Sequence, residues 1–210
     1  MSILLKLASA LNRRDEEPNI ALAKSITKSK DRKAVKELVD GLSSKSKDIQ
    51  NDCIKVLYET GATAPNLIAD YHKVFIEQLQ SKNNRMQWGA MTALHSITSE
   101  IPETIYKLLP KILNAAEKGS VITKDYAVSI IIELAKKEKY NPKVFPFLNE
   151  FLLKAATNQL PMYAENAMVV INDKNKGQFI KSLQLRLNDF EKETKRKRVE
   201  KVIAKLSATA

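Results

Sequence analysis

One cysteine, Cys53, and two histidines, His72 and His95, are the soft or nitrogen ligands that this sequence offers. Metal sites and Cys–His nucleophile pairs need several such residues at defined spacing, and neither histidine has a second His or Cys at ligand spacing. Cys53 lies in an apolar column described below, where burial raises the pKa of a thiol and makes it inert. No phosphate-loop, dinucleotide, zincin or paired-cysteine motif occurs. We therefore predict no catalytic residue, no cofactor site and no metal site.

The net charge of the chain says more about its function than any catalytic motif does. The sequence has 35 Lys and Arg against 24 Asp and Glu, which leaves a net charge of +11. Residues 174–205 alone hold 11 basic and 4 acidic side chains. Other basic residues recur in short polar segments and form a candidate basic ridge, consisting of Lys45, Lys47, Lys82, Arg85, Lys118 and Lys124. Basic ridges attract nucleic-acid phosphates, acidic proteins or anionic lipids, whereas a solvated helical face carries the same charge without a partner.

The elements that must position these residues are helices. Apolar residues recur with the helical period in nearly every segment, and no clean alternation bounded by turn signals predicts a strand. Polar, Gly and Pro breaks cut the chain into helices of about 10–18 residues. No apolar run approaches the roughly 18–20 residues that span a bilayer. The apolar spacing within Met1 to Leu11 predicts the first helix of the fold, since this stretch is too short for a signal peptide.

An internal repeat organises these helices. When the sequence is shifted by 37 residues against itself, four columns separated by 3, 1 and 3 positions stay small or apolar through four copies, and a fifth copy fits at a shift of 35. The columns are Cys53, Ala90, Ala127, Ala164; Val56, Ala93, Ile130, Ala167; Leu57, Leu94, Ile131, Met168; Thr60, Ile97, Leu134, Ile171; and, in the fifth copy, Val199, Val202, Ile203, Leu206. A partner helix precedes each copy, so the unit is a helical hairpin.

The unit resembles the HEAT repeat, whose second helix has the pattern V-R-x-x-A-x-x-A-L. Met86, Ala90, Ala93 and Leu94 match that pattern. Where the family carries Arg after the first apolar position, this sequence has Gln50, Gln87, Lys124 and Pro161. The resemblance implies an all-α fold, an α–α superhelix or HEAT-like solenoid of about five to six helical hairpins.

The domain organisation follows from the same repeat. We expect residues 1–210 to form a single HEAT-like repeat domain. Within it, residues 1–30 are a degenerate N-terminal cap and residues 31–172 are the core repeats. Residues 173–210 form a basic C-terminal capping repeat, because the outer face of a terminal repeat meets water and is polar.

In HEAT arrays the second helices line a concave surface that binds partners. At 100° per residue from Ile49, positions 51, 55 and 58 face away from the apolar columns, and the repeat carries this assignment along the chain. The predicted exposed columns also contain Met162, Asn166, Ile132 and Val169. The candidate surface consists of Asn51, Lys55, Tyr58, Trp88, Thr92, His95, Asp125 and Ser129. Trp88, the one tryptophan, is either a binding anchor there or a ring that packs sideways against a neighbouring repeat.

The sequence therefore predicts a non-enzymatic scaffold whose concave surface binds a protein or peptide partner, without a small-molecule substrate. The alternative is a nucleic-acid-binding protein that uses the basic ridge, related to HEAT-like alkylpurine DNA glycosylases. Trp88 and Asp125 resemble the aromatic and acidic residues of that family, but Thr92 stands where it places a carboxylate. The single cysteine indicates a reducing, cytoplasmic setting.

Overall fold

The computed structural model describes residues 2–208, which form eleven α-helices, five short 3₁₀ helices and no β-strand. The predicted all-α fold is confirmed. The α-helices are α1 (Glu17–Ser29), α2 (Arg32–Gly41), α3 (Lys47–Thr63), α4 (His72–Gln78), α5 (Asn84–Ser96), α6 (Pro102–Lys118), α7 (Val121–Ala135), α8 (Asn141–Lys154), α9 (Leu160–Ala167), α10 (Lys176–Leu185) and α11 (Glu193–Ala208). The 3₁₀ helices are Ile3–Lys6, Pro65–Leu67, Ala69–Tyr71, Met168–Val170 and Leu187–Asp189. Within residues 2–208, none of the helices combines the length and apolarity that crossing a membrane requires.

Two compact units make up the chain, and the boundary between Ala127 and Val128 falls inside α7. In the first unit, α2 pairs with α3 and α4 pairs with α5. The second helices of these pairs also stack on one another, because α3 packs against both α1 and α5. In the second unit, α8 packs against α9 and α10, and α11 packs against α9 and α10. Each unit thus buries its apolar stripes by stacking helical hairpins.

The chain before α2 forms a reduced repeat. The 3₁₀ helix Ile3–Lys6 packs against α1 and α2, and α1 itself takes the place of a second helix against α3. The expected helix over Met1 to Leu11 is therefore a single 3₁₀ turn among the described residues. It ends because Leu7 adopts an extended backbone conformation. The next amide, of Ala8, donates to the side-chain oxygen of Asn19 at 3.0 Å instead of continuing a helix.

The four apolar columns form the core. Cys53, Ala90, Ala127 and Ala164 are all fully buried, as the small-residue column predicts. Ile203 in the fifth copy is only half-buried, and the last two columns also deviate in the fourth copy, where Met168 and Ile171 are half-buried. The cause of the deviation in the fourth copy is local. The physical reason is that α9 ends at Ala167 and continues as a 3₁₀ helix with about three residues per turn, which shifts the buried position to Val170.

Glycines permit the close approach of α3 and α5. A Cβ built on Gly89 of α5 would lie 2.7 Å from Cγ1 of Ile54 on α3. A Cβ built on Gly61 of α3 would collide with the side chains of Ser96 and Ile68. Each glycine thus stands where any larger side chain would push a neighbouring element away.

Side-chain amides link successive repeats at the ends of helices. In the first unit, Asn83 before α5 donates to the side-chain oxygen of Asn51 on α3 at 2.9 Å. Asn19 on α1 donates to the carboxylate of Asp52 on α3 at 2.7 Å. In the second unit, Asn175 before α10 donates to the side-chain oxygen of Asn141 on α8 at 3.0 Å, and Asn141 is buried. These hydrogen bonds satisfy polar groups that packing removes from water.

The buried thiol of Cys53 provides the first test of the repeat register. Burial, together with the nearby carboxylates of Asp52 and Glu37, raises the pKa of Cys53 to about 12. At pH 8 the thiol is therefore protonated as well as inaccessible. We expect the native protein to react with an aromatic disulfide reagent at least about 100-fold more slowly than the urea-unfolded protein, because reaction requires opening of the structure. Equal rates in the two states would show that Cys53 is not in the core.

Candidate binding face of the first unit

The residues predicted to line the binding surface differ in exposure. Five of them keep part of the side chain at the surface and are half-buried. These five are Asn51, Trp88, His95, Asp125 and Ser129. The first four belong to the first unit and Ser129 belongs to the second, so the face described below consists of first-unit residues.

The predicted exposure of Lys55, Tyr58 and Thr92 is wrong. These side chains are buried, with only 7%, 9% and 9% of the residue surface exposed. A helical wheel treats every position that faces away from the paired helix as exposed to solvent. However, α3 has a stacked helix on each side, and these neighbours cover positions that the wheel leaves open. Ile132, from the same predicted columns, is also buried.

Lys55 forms the centre of a charged cluster on α3. Its ammonium nitrogen lies 2.6 Å from the carboxylate of Glu59, one turn later, and 2.9 Å from the carboxylate of Glu16, just before α1. Burial lowers the pKa of Lys55, but the hydrogen bonds to Glu59 and Glu16 outweigh that effect and the net pKa is raised. Lys55 is therefore a permanently charged buried cation with two carboxylate partners.

Glu16 joins two second helices, because its carboxylate pairs with Arg85 at the start of α5 as well as with Lys55 on α3. Burial raises the pKa of Glu16, but the two cations outweigh it and the net pKa is lowered. Arg85 was predicted as a member of the basic ridge, and its half-buried, paired guanidinium corrects that assignment. Its Nε atom is buried without a hydrogen-bond partner.

Trp88 contacts both this cluster and Tyr58, whose ring also lies 5.0 Å from the Lys55 ammonium nitrogen. The indole and the Tyr58 ring are 5.7 Å apart between centroids and tilted by 49°, a favourable aromatic geometry. The Arg85 guanidinium carbon is 5.9 Å from the centroid of the indole. The backbone of the same turn is tied by Thr92, whose hydroxyl donates to the Trp88 carbonyl at 2.9 Å. Trp88 is thus a half-exposed aromatic ring that its neighbours hold in one orientation.

A second aromatic pair continues the face towards the end of the first unit. The ring of His95 on α5 lies 5.6 Å from the ring of Tyr126 on α7, at 50°. His72, the other histidine, contacts the Ala69 carbonyl at 3.0 Å through Nδ1. Within residues 2–208, no cluster of three or more His, Cys, Asp or Glu side chains is arranged to hold a metal ion.

Sequence reasoning missed both glutamates of the cluster. Glu59 follows Lys55 by four residues, a spacing that brings oppositely charged side chains together on a helix, so a local signal for it existed. Glu16 precedes Lys55 by 39 residues and Arg85 by 69, and no local pattern links it to either. Only the stacking of α1, α3 and α5 brings the three together.

The remaining members of the predicted basic ridge lie in the turns between first and second helices or in the helix ends next to those turns. They are exposed, and none of them forms an ion pair within residues 2–208. These five lysines are Lys45, Lys47, Lys82, Lys118 and Lys124. The strongly basic segment 174–205 behaves differently, because carboxylates neutralise much of its charge: Arg198 pairs with Glu165, and Arg196 pairs with Glu200.

The stacked hairpins define an all-α helical-repeat fold of the HEAT/armadillo type. No protein-family model matches the chain, and no curated protein sequence matches it. Solved structures do resemble it along nearly the whole chain. A designed armadillo repeat protein in complex with the peptide (KR)4 matches with a TM-score of 0.65 and 15% identity, covering 98% of this chain and 99% of that one.

Two further structures support the same fold. A computationally designed armadillo repeat protein for modular peptide recognition has a TM-score of 0.63 and 14% identity, covering 97% of this chain and 99% of that one. An engineered protein has a TM-score of 0.64 and 18% identity, covering 99% of this chain and 100% of that one. At these identities the likeness concerns the fold, and the function has to come from the site.

The charged cluster predicts that removing its two glutamates destabilises the protein more than removing its lysine does. Replacing both Glu16 and Glu59 by Gln leaves the Lys55 ammonium buried without a counter-charge, so we expect a loss of about 3–5 kcal/mol in the free energy of unfolding. Lys55→Met removes the buried cation and leaves two partly exposed carboxylates that water solvates, so we expect a loss of less than about 1.5 kcal/mol. Urea unfolding measures both losses, and similar losses for the two variants would contradict the buried-cation assignment.

The same cluster predicts how stability depends on pH. Because the pKa of Glu16 is lowered in the folded protein, its contribution is present above its ordinary value of 4.5 and is lost as the pH falls through the lowered folded value. We expect acid unfolding of Lys55→Met to depend less steeply on pH below 4.5 than that of the wild type. Lys36→Met is the control, because Lys36 forms an exposed pair with Asp40 on α2 that contributes little to stability.

Proposed function

We propose that this protein is a non-enzymatic repeat scaffold that binds a protein or peptide partner on the second helices of its first unit. The observation that carries the proposal is the half-exposed ring of Trp88, which contacts both Tyr58 and Arg85. Binding hot spots are enriched in Trp, Tyr and Arg, and a side chain that is already ordered loses little conformational entropy on binding. In this proposal Trp88 packs sideways against its neighbours, and its exposed part is the binding anchor.

The charged cluster supports the same role by making the anchor rigid. Glu16 holds Arg85 beside the indole, and Lys55 holds Glu16. His95 and Asp125, also half-buried on this side of the repeats, extend the proposed contact surface along the first unit. One of the structural neighbours is in complex with a peptide and another was designed for modular peptide recognition, which adds to the support for a peptide partner.

The glycosylase alternative has less support. That chemistry needs a carboxylate presented to the substrate at the position of Thr92, and Thr92 is buried with its hydroxyl donated to the Trp88 carbonyl. We also propose that residues 1–30 and 173–210 act as the capping ends of the repeat array. A cytoplasmic location is part of the proposal, because the single cysteine is buried and forms no disulfide.

Peptide selection tests the proposed function directly. Peptides are selected on the wild-type protein from a random display library, and their binding is measured through the fluorescence of Trp88, which is the one tryptophan in the chain. We expect selected peptides to change this fluorescence on binding, and Trp88→Leu to weaken binding by roughly 1–3 kcal/mol, the cost of removing an aromatic anchor. Affinity for the leucine variant, which has no tryptophan, is measured with a labelled peptide.

Phe147→Leu is the matched control, because Phe147 is an exposed aromatic residue on α8 of the second unit. It should leave peptide affinity within about a factor of two. A thermal melt of each variant separates binding from folding. Selected peptides that bind both variants as tightly as the wild type would show that Trp88 is not the anchor of the binding face.

A further inference from the structure

The turns that precede the second helices of the first unit lie at one edge of the stacked repeats. The second helices stack, and α1, α3 and α5 begin at the same edge. Two contacts confirm this alignment: Asn83, before α5, bonds to Asn51 in α3, and Asn19, early in α1, bonds to Asp52. The ring contact of His95 with Tyr126 repeats that of Tyr58 with Trp88 one repeat later, so α7 begins at this edge as well. We call this region the turn edge; it consists of residues 7–16, 43–48, 79–85 and 118–124, which are connecting segments together with the helix ends next to them.

The turn edge carries an excess of unpaired positive charge. Six of its cations are exposed and form no ion pair within the described residues: Arg14, Lys45, Lys47, Lys82, Lys118 and Lys124. Nearby, Asp48 and Glu117 are the exposed carboxylates that the described ion pairs leave unpaired. The other acids of the edge, Asp15 and Glu16, already pair with arginine or lysine, and so does Glu17 next to it. The free charge of the edge is therefore clearly positive and directed at solvent.

Exposed apolar side chains lie at the same edge. Leu11 is 50% exposed, Val121 53% and Ile122 44%. They are three of the four large apolar residues that the first unit exposes, and the fourth, Leu5, lies in the 3₁₀ helix just before the edge. Val121 and Ile122 are adjacent at the start of α7, and Leu11 lies before α1, so apolar side chains flank the free lysines at both ends of the turn edge. This combination of exposed apolar and cationic side chains indicates a surface that something covers.

We propose that the turn edge docks on the surface of an anionic lipid membrane. Lysines near such a surface are attracted by its negative potential, and apolar side chains gain free energy by entering the boundary between headgroups and acyl chains. A nucleic acid satisfies the lysines through its phosphates, yet it offers no apolar environment for Leu11, Val121 and Ile122. An anionic bilayer satisfies both features of the edge. The proposal is independent of the peptide-binding function.

Vesicle co-sedimentation tests this proposal with the full chain. The probes are phosphatidylcholine vesicles with and without about 30% phosphatidylserine. We expect binding to the anionic vesicles only, and binding should weaken with added salt, because the lysine contribution is screened. Replacing Lys45, Lys47 and Lys82 by Gln should weaken binding roughly 100-fold, since each lysine near the surface contributes about a factor of five.

Each set of substitutions has a matched control in this chain. Lys33, Lys73 and Lys111 are exposed, unpaired lysines on the first helices α2, α4 and α6, and their triple Gln variant has the same net charge. That variant should bind anionic vesicles within about threefold of the wild type. Equal losses for the two triple variants would overturn the proposal, because they would indicate attraction by net charge rather than by the turn edge.

The apolar contribution has its own test. Val121→Ser combined with Ile122→Ser should weaken vesicle binding by roughly tenfold or more, because each side chain loses its transfer into the interface. The control, Val169→Ser combined with Leu185→Ser, removes two exposed apolar residues of the second unit and should have no comparable effect. Circular dichroism melts establish that the variants fold.

A nucleic-acid probe distinguishes the competing ligand. We expect a single-stranded or duplex DNA oligonucleotide to bind more weakly than the anionic vesicles, with no effect of the Val121 and Ile122 substitutions. Tight oligonucleotide binding without vesicle binding would overturn the membrane proposal and assign the edge to phosphodiesters. Absence of vesicle binding at low salt would overturn it as well.

Discussion

A helical hairpin has more apolar surface than its own two helices can cover, and the structure of this protein depends on that constraint. The second helices must be covered by neighbouring repeats, which is why α3 packs against both α1 and α5. Small residues follow from the same requirement. Cys53 and its alanine equivalents keep the paired helices close, and Gly61 and Gly89 let α3 and α5 approach one another. The reduced N-terminal repeat meets the same requirement, since α1 covers one side of α3 although no full first helix precedes α1.

Stacking of this kind removes polar groups from water, and the polar contacts of the first unit compensate for the lost hydration. Lys55 lies where two second helices meet, so burial of its charge is compensated by Glu59 on its own helix and by Glu16 before α1. Removing one partner of a buried ion cluster destabilises the fold more than replacing the whole cluster with apolar residues does. Because each charged group needs its partners, the cluster keeps the segments that meet there in place. The half-exposed Trp88 is held in its orientation by this arrangement. The ion pairs that compensate the buried charge of Lys55 thus also fix the orientation of Trp88 at the surface.

The distribution of free charge differs from the distribution of charge along the sequence. The most basic segment, residues 174–205, includes arginines whose carboxylate partners lie on α9 or within α11. The turn-edge lysines have no such partners, because each turn is short and holds few acidic residues. A count of charges along the chain cannot reveal this difference, since pairing depends on which helices lie side by side.

Local periodicity determined much of this protein without reference to tertiary structure. The helical period, the scarcity of strand patterns and the repeat of Cys53 at Ala90, Ala127 and Ala164 predicted the all-α repeat fold and most of its core. These features are readable because each depends on neighbours within one helix or one repeat. One exception in the core came where α9 tightened into a 3₁₀ helix, a change of three residues that periodicity alone does not detect.

Contacts between repeats decided what the sequence left open. A helical wheel assigned Lys55, Tyr58 and Thr92 to solvent, and the stacked neighbours buried them. Arg85 has the sequence signature of an exposed turn cation, yet a glutamate 69 residues earlier pairs with it. The reason is that a sequence pattern records which side of a helix is apolar, whereas exposure and ion pairing depend on elements that are distant in the chain. The apolar columns follow from the sequence, but the composition of the binding face follows only from the packing of α1, α3 and α5.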